Sequence, residues 1–320
     1  MRKRSIYTTL TFILLGQLAV AQQKIEFIAP GVYPEGIAYD KAANIFYVSG
    51  VRTASIGKVD IGGKYTQLFS DSTLKSTYGM KLDPAGKKLW VCAGDANYSK
   101  YRSDDTYRKM IRLISIDVST GKKVNDIDLS QLAIGEHFAN DITFDDKGNI
   151  YITDSYSPNI YKVDASGKAS VFANSPMFYA AGIGLNGLVY HPSGFLLAVN
   201  SGAGCLLKIN MADPKDVVKV KIPQFFPGAD GLWLDDNNNL TLVQNQSVNK
   251  IFKIATKDNW INASVTMATK AEAMFAQPST AAKANNKTWI MNSKLNELAD
   301  SMHIPSKKFS IQEAVFVAVK

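Results

Sequence analysis

A repeating unit of apolar strand segments is the feature that most constrains how this chain can fold. Each copy opens with Gly or Asp before an alternating apolar run, passes a turn rich in Asp, Gly and Asn, and returns through two more apolar runs. Six copies align, the last of them most weakly, on the anchor residues Gly36, Gly79, Asp141, Gly187, Gly231 and Ser279. Successive anchors lie 43, 62, 46, 44 and 48 residues apart.

The period and the strand pattern together predict a β-propeller. Period-2 alternation indicates strands, and a repeat in the forties with three or four short strands per copy is typical of propeller blades. The apolar runs at 25–28 and 313–319 are expected to close the ring by sharing one blade. We therefore predict that residues 22–320 form a single all-β, six-bladed β-propeller domain. A β-sandwich with accidental similarity between the copies is the alternative.

The first 21 residues have the character of a signal peptide. Residues 2–4 are basic, 6–18 form an apolar stretch, and 19–21 have the small-x-small form of a signal-peptidase site. We predict cleavage near Ala21 and export to a periplasm or to the medium, with no membrane anchor on the mature chain. An uncleaved anchor is the alternative, but the apolar stretch is short for a span of about 20 residues.

Composition and charge exclude several other classes of protein. With 46% hydrophobic and 20% charged residues, the chain is neither disordered, collagenous nor polytopic in a membrane. Its formal charge of +8 is scattered, without a basic cluster interleaved with aromatic residues, so we expect no nucleic-acid partner. We expect a monomer. Cys92 and Cys205 fall two blades apart, so we expect both to be buried and unpaired, with a disulfide as the alternative.

The residue before each anchor opens the innermost strand of its blade and is expected to face the channel axis. In chain order these residues are Glu35, Tyr78, Asn140, Asn186, Asp230 and Pro278. Two carboxylates directed at one spot repel each other unless a cation lies between them, and oxygen donors suit a hard cation. We therefore predict a central metal site, most simply Ca²⁺, with Mg²⁺, Mn²⁺ or Zn²⁺ as alternatives and with the ligands Glu35, Asn140, Asn186 and Asp230. The competing interpretation is that these residues only form strand-entry turns.

At these residues the sequence resembles the senescence-marker-protein/gluconolactonase family, a calcium-dependent lactonase and phosphotriesterase superfamily of six-bladed propellers. The resemblance covers nearly all of 30–318 and is more distant to paraoxonases and strictosidine-synthase-like proteins. It implies that the matching Glu, two Asn and Asp bind the metal and that Asp230 is the general base. The segments that carry it are Pro34-Glu35-Gly36, Asn140-Asp141, Asn186-Gly187-Leu188 and Asp230-Gly231-Leu232.

The activity that the resemblance implies is metal-dependent hydrolysis of a lactone or related ester. The metal would polarise the carbonyl, and Asp230 would orient or deprotonate water, although a carboxylate bound to a cation is a weak base. His137 is a second candidate catalytic residue, as a proton shuttle, with a structural role as the alternative. A non-catalytic binding propeller with a structural metal is the alternative function. A condensing activity would need an acidic residue that the sequence does not place.

The substrate rim departs from the family pattern. Where relatives acting on sugar acids commonly have an Arg two residues before the first Asn, this chain has Phe138, which argues for a more apolar substrate. The long insertion at 94–110 is expected to lie over the channel mouth as a lid, with a solvated surface loop as the alternative, and Arg102 or Arg108 could supply a cation. The expected rim residues are Phe138, Tyr98, Tyr101, Tyr107 and Tyr179.

Overall fold

The computed structural model describes residues 22–319, which form six antiparallel sheets. In blades 1–5 the first four strands are neighbours in the order in which the chain reaches them. The first strand of the described residues is β1 (Lys24–Ile28). Blade 1 contains β2 (Ile37–Asp40), β3 (Ile45–Gly50), β4 (Ser55–Asp60) and β5 (Tyr65–Ser70), and blade 2 contains β6 (Ser76–Leu82), β7 (Lys88–Gly94), β8 (Ile111–Asp117) and β9 (Lys123–Asp128). Blade 3 contains β10 (Ala139–Phe144), β11 (Ile150–Asp154), β12 (Asn159–Val163) and β13 (Ala169–Asn174).

The second half of the chain repeats this arrangement. Blades 4–6 contain β14 (Leu185–His191), β15 (Phe195–Asn200), β16 (Cys205–Asn210) and β17 (Val217–Lys219); β18 (Ala229–Leu234), β19 (Leu240–Gln244), β20 (Lys250–Thr256) and β21 (Ala263–Thr269); and β22 (Pro278–Ala284), β23 (Lys287–Asn292) and β24 (Lys308–Glu313), before β25 (Phe316–Ala318) ends the chain's strands. Short 3₁₀ turns lie between strands at Ser72–Leu74, Ser130–Leu132, Pro176–Phe178, Ala271–Ala273 and Leu295–Ala299.

The first strands of the six blades form a closed ring. Each contacts the first strand of the next blade, and β22 of blade 6 contacts β2 of blade 1. The all-β, six-bladed propeller is therefore confirmed, and the sandwich alternative is wrong. The predicted signal peptide lies outside the described residues. Within 22–319, no helix has the length and apolar character that a membrane span requires.

The two ends of the chain close the ring through different blades. β1 pairs with β24 and forms the outermost strand of blade 6, as expected for the run at 25–28. The run at 313–319 does not share that blade: the chain turns at Ala314, whose N–H donates to the Thr288 carbonyl, and β25 pairs with β21 as a fifth strand of blade 5. That part of the prediction is wrong, because alternating exposure indicates a strand without indicating which sheet edge it joins.

Apolar side chains from neighbouring sheets fill the space between blades. Between blades 6 and 1, for example, Phe46 and Trp289 pack edge to face with ring centroids 5.7 Å apart. Cys92 and Cys205 are buried and free, as predicted. Because the core lies between the sheets, the residues at the channel axis come from the innermost strands and from the loops at their ends.

Two local features aim residues at the channel axis. The innermost strand has a register shift at its start in blades 2–6, which is the signature of a β-bulge that redirects a side chain. The anchor glycines allow adjacent inner strands to approach closely. A Cβ atom on Gly187 would lie 2.3 Å from the Asp230 carbonyl oxygen, and one on Gly36 would lie 2.3 Å from that of Tyr78.

Candidate metal centre and substrate cavity

A cavity of about 420 Å³ opens at the end of the channel where the innermost strands begin. All six blades and their connecting loops contribute to it. The four predicted ligands are among its lining residues and are only 4–8% exposed: Glu35, Asn140, Asn186 and Asp230. The structure therefore brings together the residues that the repeat aligned.

Three of these side chains carry a buried oxygen without a hydrogen-bond partner. They are Glu35 Oε2, Asn140 Oδ1 and Asn186 Oδ1. The Asn140 amide nitrogen donates to Ser155 Oγ at 2.9 Å, which turns its oxygen away from that contact. Buried acceptors of this kind are costly unless another group satisfies them. Three unsatisfied oxygens beside a second carboxylate fit a hard cation such as Ca²⁺.

The electrostatics of the site favour the same ligand. Burial, followed by the charges of Asp230 and Asp141, raises the pKa of Glu35 well above its usual range, although Lys81 opposes the shift. Burial and then Asp141 likewise raise the pKa of Asp230, against hydrogen bonds from Asn245 and Asn186. This cluster of negative charge is unfavourable on its own, and a divalent cation would relieve the repulsion.

The candidate ligand set depends on amide oxygens as well as carboxylates. Within 22–319 no group of three or more His, Cys, Asp or Glu side chains has an arrangement suited to a metal. A cation here would therefore need the Asn140 and Asn186 oxygens beside Glu35 and Asp230. That donor chemistry suits Ca²⁺ or Mg²⁺ better than Zn²⁺, which prefers nitrogen and sulfur.

Supporting residues around the site were missed at the sequence level. Asn245 donates from Nδ2 to Asp230 Oδ2, as Ser155 supports Asn140. Asp141 is buried and links blades 3 and 4, because its carboxylate accepts from the N–H of Ile142 at 2.8 Å and of Leu188 at 3.3 Å. A signal for the first two exists, since the position after the second strand is polar in five consecutive blades: Asp95, Ser155, Ser201, Asn245 and Ser293.

His137 contacts Asp154 in the protein interior and is not part of the cavity lining. Its Nδ1 lies 2.7 Å from Asp154 Oδ2 and its Nε2 lies 3.2 Å from the Ala133 carbonyl oxygen, so both ring nitrogens face acceptors. Burial opposes protonation, but the hydrogen bond and charge of Asp154 outweigh it and raise the pKa of His137. Asp154 Oδ1 also accepts from the Phe138 N–H at 2.8 Å. This placement favours the structural role over a proton shuttle.

The predicted rim residues separate into two groups. Phe138 and Tyr98 line the cavity, as expected. Tyr101 instead packs against the core between blades 1 and 2, Tyr107 stacks beneath the Arg102 guanidinium at 3.5 Å, and Tyr179 is 64% exposed outside the lining.

The insertion at 94–110 is tied to the body of the propeller. Two backbone hydrogen bonds join the loop to other segments, from the Lys100 N–H to the Arg52 carbonyl and from the His137 N–H to the Arg108 carbonyl. Inside the loop, Asp95 Oδ2 accepts from the Ser103 N–H at 3.1 Å and from Thr106 Oγ1 at 2.7 Å. Of this loop, only Asn97 and Tyr98 line the cavity. The anchoring favours the surface-loop alternative over a hinged lid.

Neither arginine of the insertion supplies a cation to the cavity. Arg102 is held against Tyr107, and Arg108 pairs with Glu136 at 2.9 Å and lies over Tyr156 at 4.6 Å. Neither residue is among those that line the cavity.

Comparisons with known proteins identify the fold. No family model and no curated protein matches the chain. Mala s 1, the major allergen of Malassezia sympodialis, is 18% identical over 91% of this chain and 96% of its own, with a TM-score of 0.74. A luciferin-regenerating enzyme is 14% identical over 92% of this chain and 97% of its own, with a TM-score of 0.62.

A third similar structure is virginiamycin B lyase from Staphylococcus aureus with quinupristin. It is 14% identical over 92% of this chain and 100% of its own, with a TM-score of 0.58. Propeller enzymes are thus among the structural neighbours, beside an allergen. At identities below 20% these likenesses establish the shared fold, and activity must be argued from the site itself.

Proposed function

We propose that this protein is a metal-dependent hydrolase that opens a lactone or related ester. The observation that carries the proposal is the set of three unpartnered oxygens on Glu35, Asn140 and Asn186, grouped with Asp230 at an open cavity. A bound divalent cation, most simply Ca²⁺, would supply Lewis-acid polarisation of the carbonyl. The resemblance in sequence at these four residues supports the same activity.

Asp230 is suited to handle the proton of the attacking water. Its Oδ2 atom accepts a hydrogen bond from Asn245, which fixes the orientation of the carboxylate. In the reaction one water oxygen forms a bond to the carbonyl carbon, one water proton passes to Asp230, and the ring C–O bond breaks. The departing alkoxide takes this proton from Asp230, so a lactone gives one hydroxy acid and an ester gives an acid and an alcohol.

The alternative is a binding propeller with a structural cation. A purely structural ion is usually enclosed by protein, whereas a catalytic ion keeps an open position for substrate. The four candidate ligands line a cavity that opens to solvent, which favours catalysis. Lyase chemistry, suggested by the name of one structural neighbour, would break a bond without adding water.

The test is hydrolysis of a panel of aliphatic, aromatic and sugar lactones and aryl esters by the purified protein. Each substrate is assayed with Ca²⁺, Mg²⁺, Mn²⁺ or a chelator, in ¹⁸O-labelled water. We expect chelation to abolish turnover and one ¹⁸O atom to enter the product carboxylate. We also expect Asp230→Ala and Glu35→Ala to lower kcat/KM by at least about 100-fold, while the exposed control Asp236→Ala keeps it.

Two outcomes would overturn the proposal. Turnover without ¹⁸O incorporation would indicate a lyase. Absence of turnover with every ion, combined with a melting temperature that still falls on chelation, would indicate a structural cation and a binding function.

A further inference from the structure

The cavity contains no positively charged side chain among its lining residues. Of the described residues that line it, none is Lys, Arg or His, and the charged ones are Glu35 and Asp230. A divalent cation would offset those two carboxylates and leave the site close to neutral. Away from the cation, an anionic group on the substrate would therefore meet no positively charged side chain and would be desolvated at a cost.

One wall of the cavity is a continuous apolar surface. Val51, Tyr78 and Phe138 belong to one packed cluster, and Ile183 and Leu295 pack against it from the neighbouring loops. The rings of Tyr78 and Phe138 lie 4.7 Å apart at an angle of 58°. Phe138 is fixed in place by the hydrogen bond from its N–H to Asp154. Such a rigid aromatic surface suits an aryl or bulky alkyl group.

A second part of the cavity lining is rich in amides. Blades 5 and 6 supply four amide side chains to the lining, and these are Asn245, Gln246, Gln277 and Asn296. Amides both donate and accept hydrogen bonds without carrying charge. This wall therefore suits hydroxyl, ether or amide groups of a ligand.

We infer that the substrate is an uncharged amphiphilic lactone or ester, with an aryl or bulky alkyl group on the Phe138 side and neutral hydrogen-bonding groups on the Gln246 side. The inference rests on the proposed function for the scissile bond, but the binding preference follows from the two walls alone. A volume of about 420 Å³ accommodates a ligand of ordinary small-molecule size.

The test measures binding of lactams, which resemble lactones but resist hydrolysis, to the Ca²⁺-loaded protein by calorimetry. The four probes are a phenyl-substituted γ-lactam, its carboxyphenyl analogue, its acetamido-bearing analogue and gluconolactam. We expect the phenyl lactam to bind at least about 10-fold more tightly than the carboxyphenyl analogue and gluconolactam. The acetamido group is expected to improve binding further.

Substitutions in each part of the lining test which residues cause each binding preference. Phe138→Ala should weaken binding of the phenyl lactam by about 10-fold, whereas Phe225→Ala, at an exposed phenylalanine outside the lining, should leave it unchanged. Gln246→Leu should remove only the gain from the acetamido group. Melting temperatures and Ca²⁺ titrations confirm that each variant is folded and binds the ion.

The outcomes separate this inference from the proposed function. Tighter binding of the carboxyphenyl lactam or gluconolactam, or no effect of Phe138→Ala, overturns the inference even if lactones are hydrolysed. The predicted order of lactam binding supports it even if no lactone is hydrolysed, in which case the cavity is a binding site for the same class of ligand.

Discussion

Four blades present an oxygen donor to the channel axis, and two do not. Blades 2 and 6 have Tyr78 and Pro278 at the position where the others have Glu35, Asn140, Asn186 and Asp230. The register shift at the start of the innermost strand does not separate the two groups, because it occurs in blades 2 and 6 as in blades 3–5 and is absent from blade 1, which carries Glu35. Residue type, rather than this backbone feature, therefore distinguishes the blades whose axial side chain could bind a cation.

The largest expected effect is on cation affinity. Glu35→Gln keeps the side-chain shape and removes a charge from the set of ligands, so we expect the Ca²⁺ affinity to fall by at least about 100-fold. Tyr78→Phe, at the equivalent position of blade 2, should leave it unchanged. Calorimetric titration of chelator-treated protein measures both. Equal loss in the two variants, or no loss in Glu35→Gln, would break the distinction between the two groups of blades.

The next effect tests whether the backbones are equivalent. A Cβ atom would lie 2.4 Å from the Asn140 carbonyl oxygen at Gly79 of blade 2, and 2.3 Å from that of Asp230 at Gly187 of blade 4. We expect either Gly→Ala change to lower the free energy of unfolding by about 1–3 kcal/mol, because the inner strands must separate. Urea unfolding of each variant is the measurement.

Gly62→Ala is the matched control for these two variants. A Cβ atom there would meet only the side-chain Asp60 Oδ1, at 3.3 Å. If Gly79→Ala were tolerated as well as Gly62→Ala while Gly187→Ala was not, the axial packing would differ between blades with and without a ligand.

The sequence could predict the axial ring but not its supports. The starts of the inner strands follow from the repeat, because each occupies the same place in a unit whose strands alternate with period 2. Ser155 and Asn245 act across a bulged strand pair, and their partners follow only once the register is known. Ser155 and Asn245 both follow the second strand of their blade, and this common position indicates a common role once the blades are aligned on the structure.

The closure of the propeller ring and the composition of the cavity rim depend on contacts between distant residues, which a local sequence pattern does not predict. The apolar residues at 313–319 would alternate in the same way whether the strand joined blade 6 or, as β25 does, blade 5. Tyr101 and Tyr107 lie in an insertion without periodicity, where Asp95 hydrogen bonds and arginine stacking decide which side chains reach the cavity. The tyrosines of the insertion were predicted to face the cavity because they are aromatic, but the conformation of the folded loop decides where each side chain points.

The smallest expected effect compares blades 3 and 4 at the end of their second strands. Asp154 pairs there with His137, whereas the neutral Asn200 donates from Nδ2 to the carbonyls of Met177 and Tyr179 at 3.0 and 3.1 Å. We expect His137→Gln to lower the free energy of unfolding by about 1 kcal/mol near pH 6, because one charge-assisted contact is weakened. Asn200→Ser should cause a loss that does not vary with pH.

The direction of the pH dependence follows from the raised pKa of His137. Burial lowers this pKa, but Asp154, the Ala133 carbonyl and Asp128 together outweigh burial, so the folded protein holds this proton more tightly than the unfolded chain. The stabilisation is fully present below the unfolded pKa of about 6.5 and is lost as the pH rises through the folded pKa. Urea unfolding across this range measures it. A difference between wild type and His137→Gln that stayed constant would mean that His137 is neutral and that blades 3 and 4 use equivalent, uncharged supports.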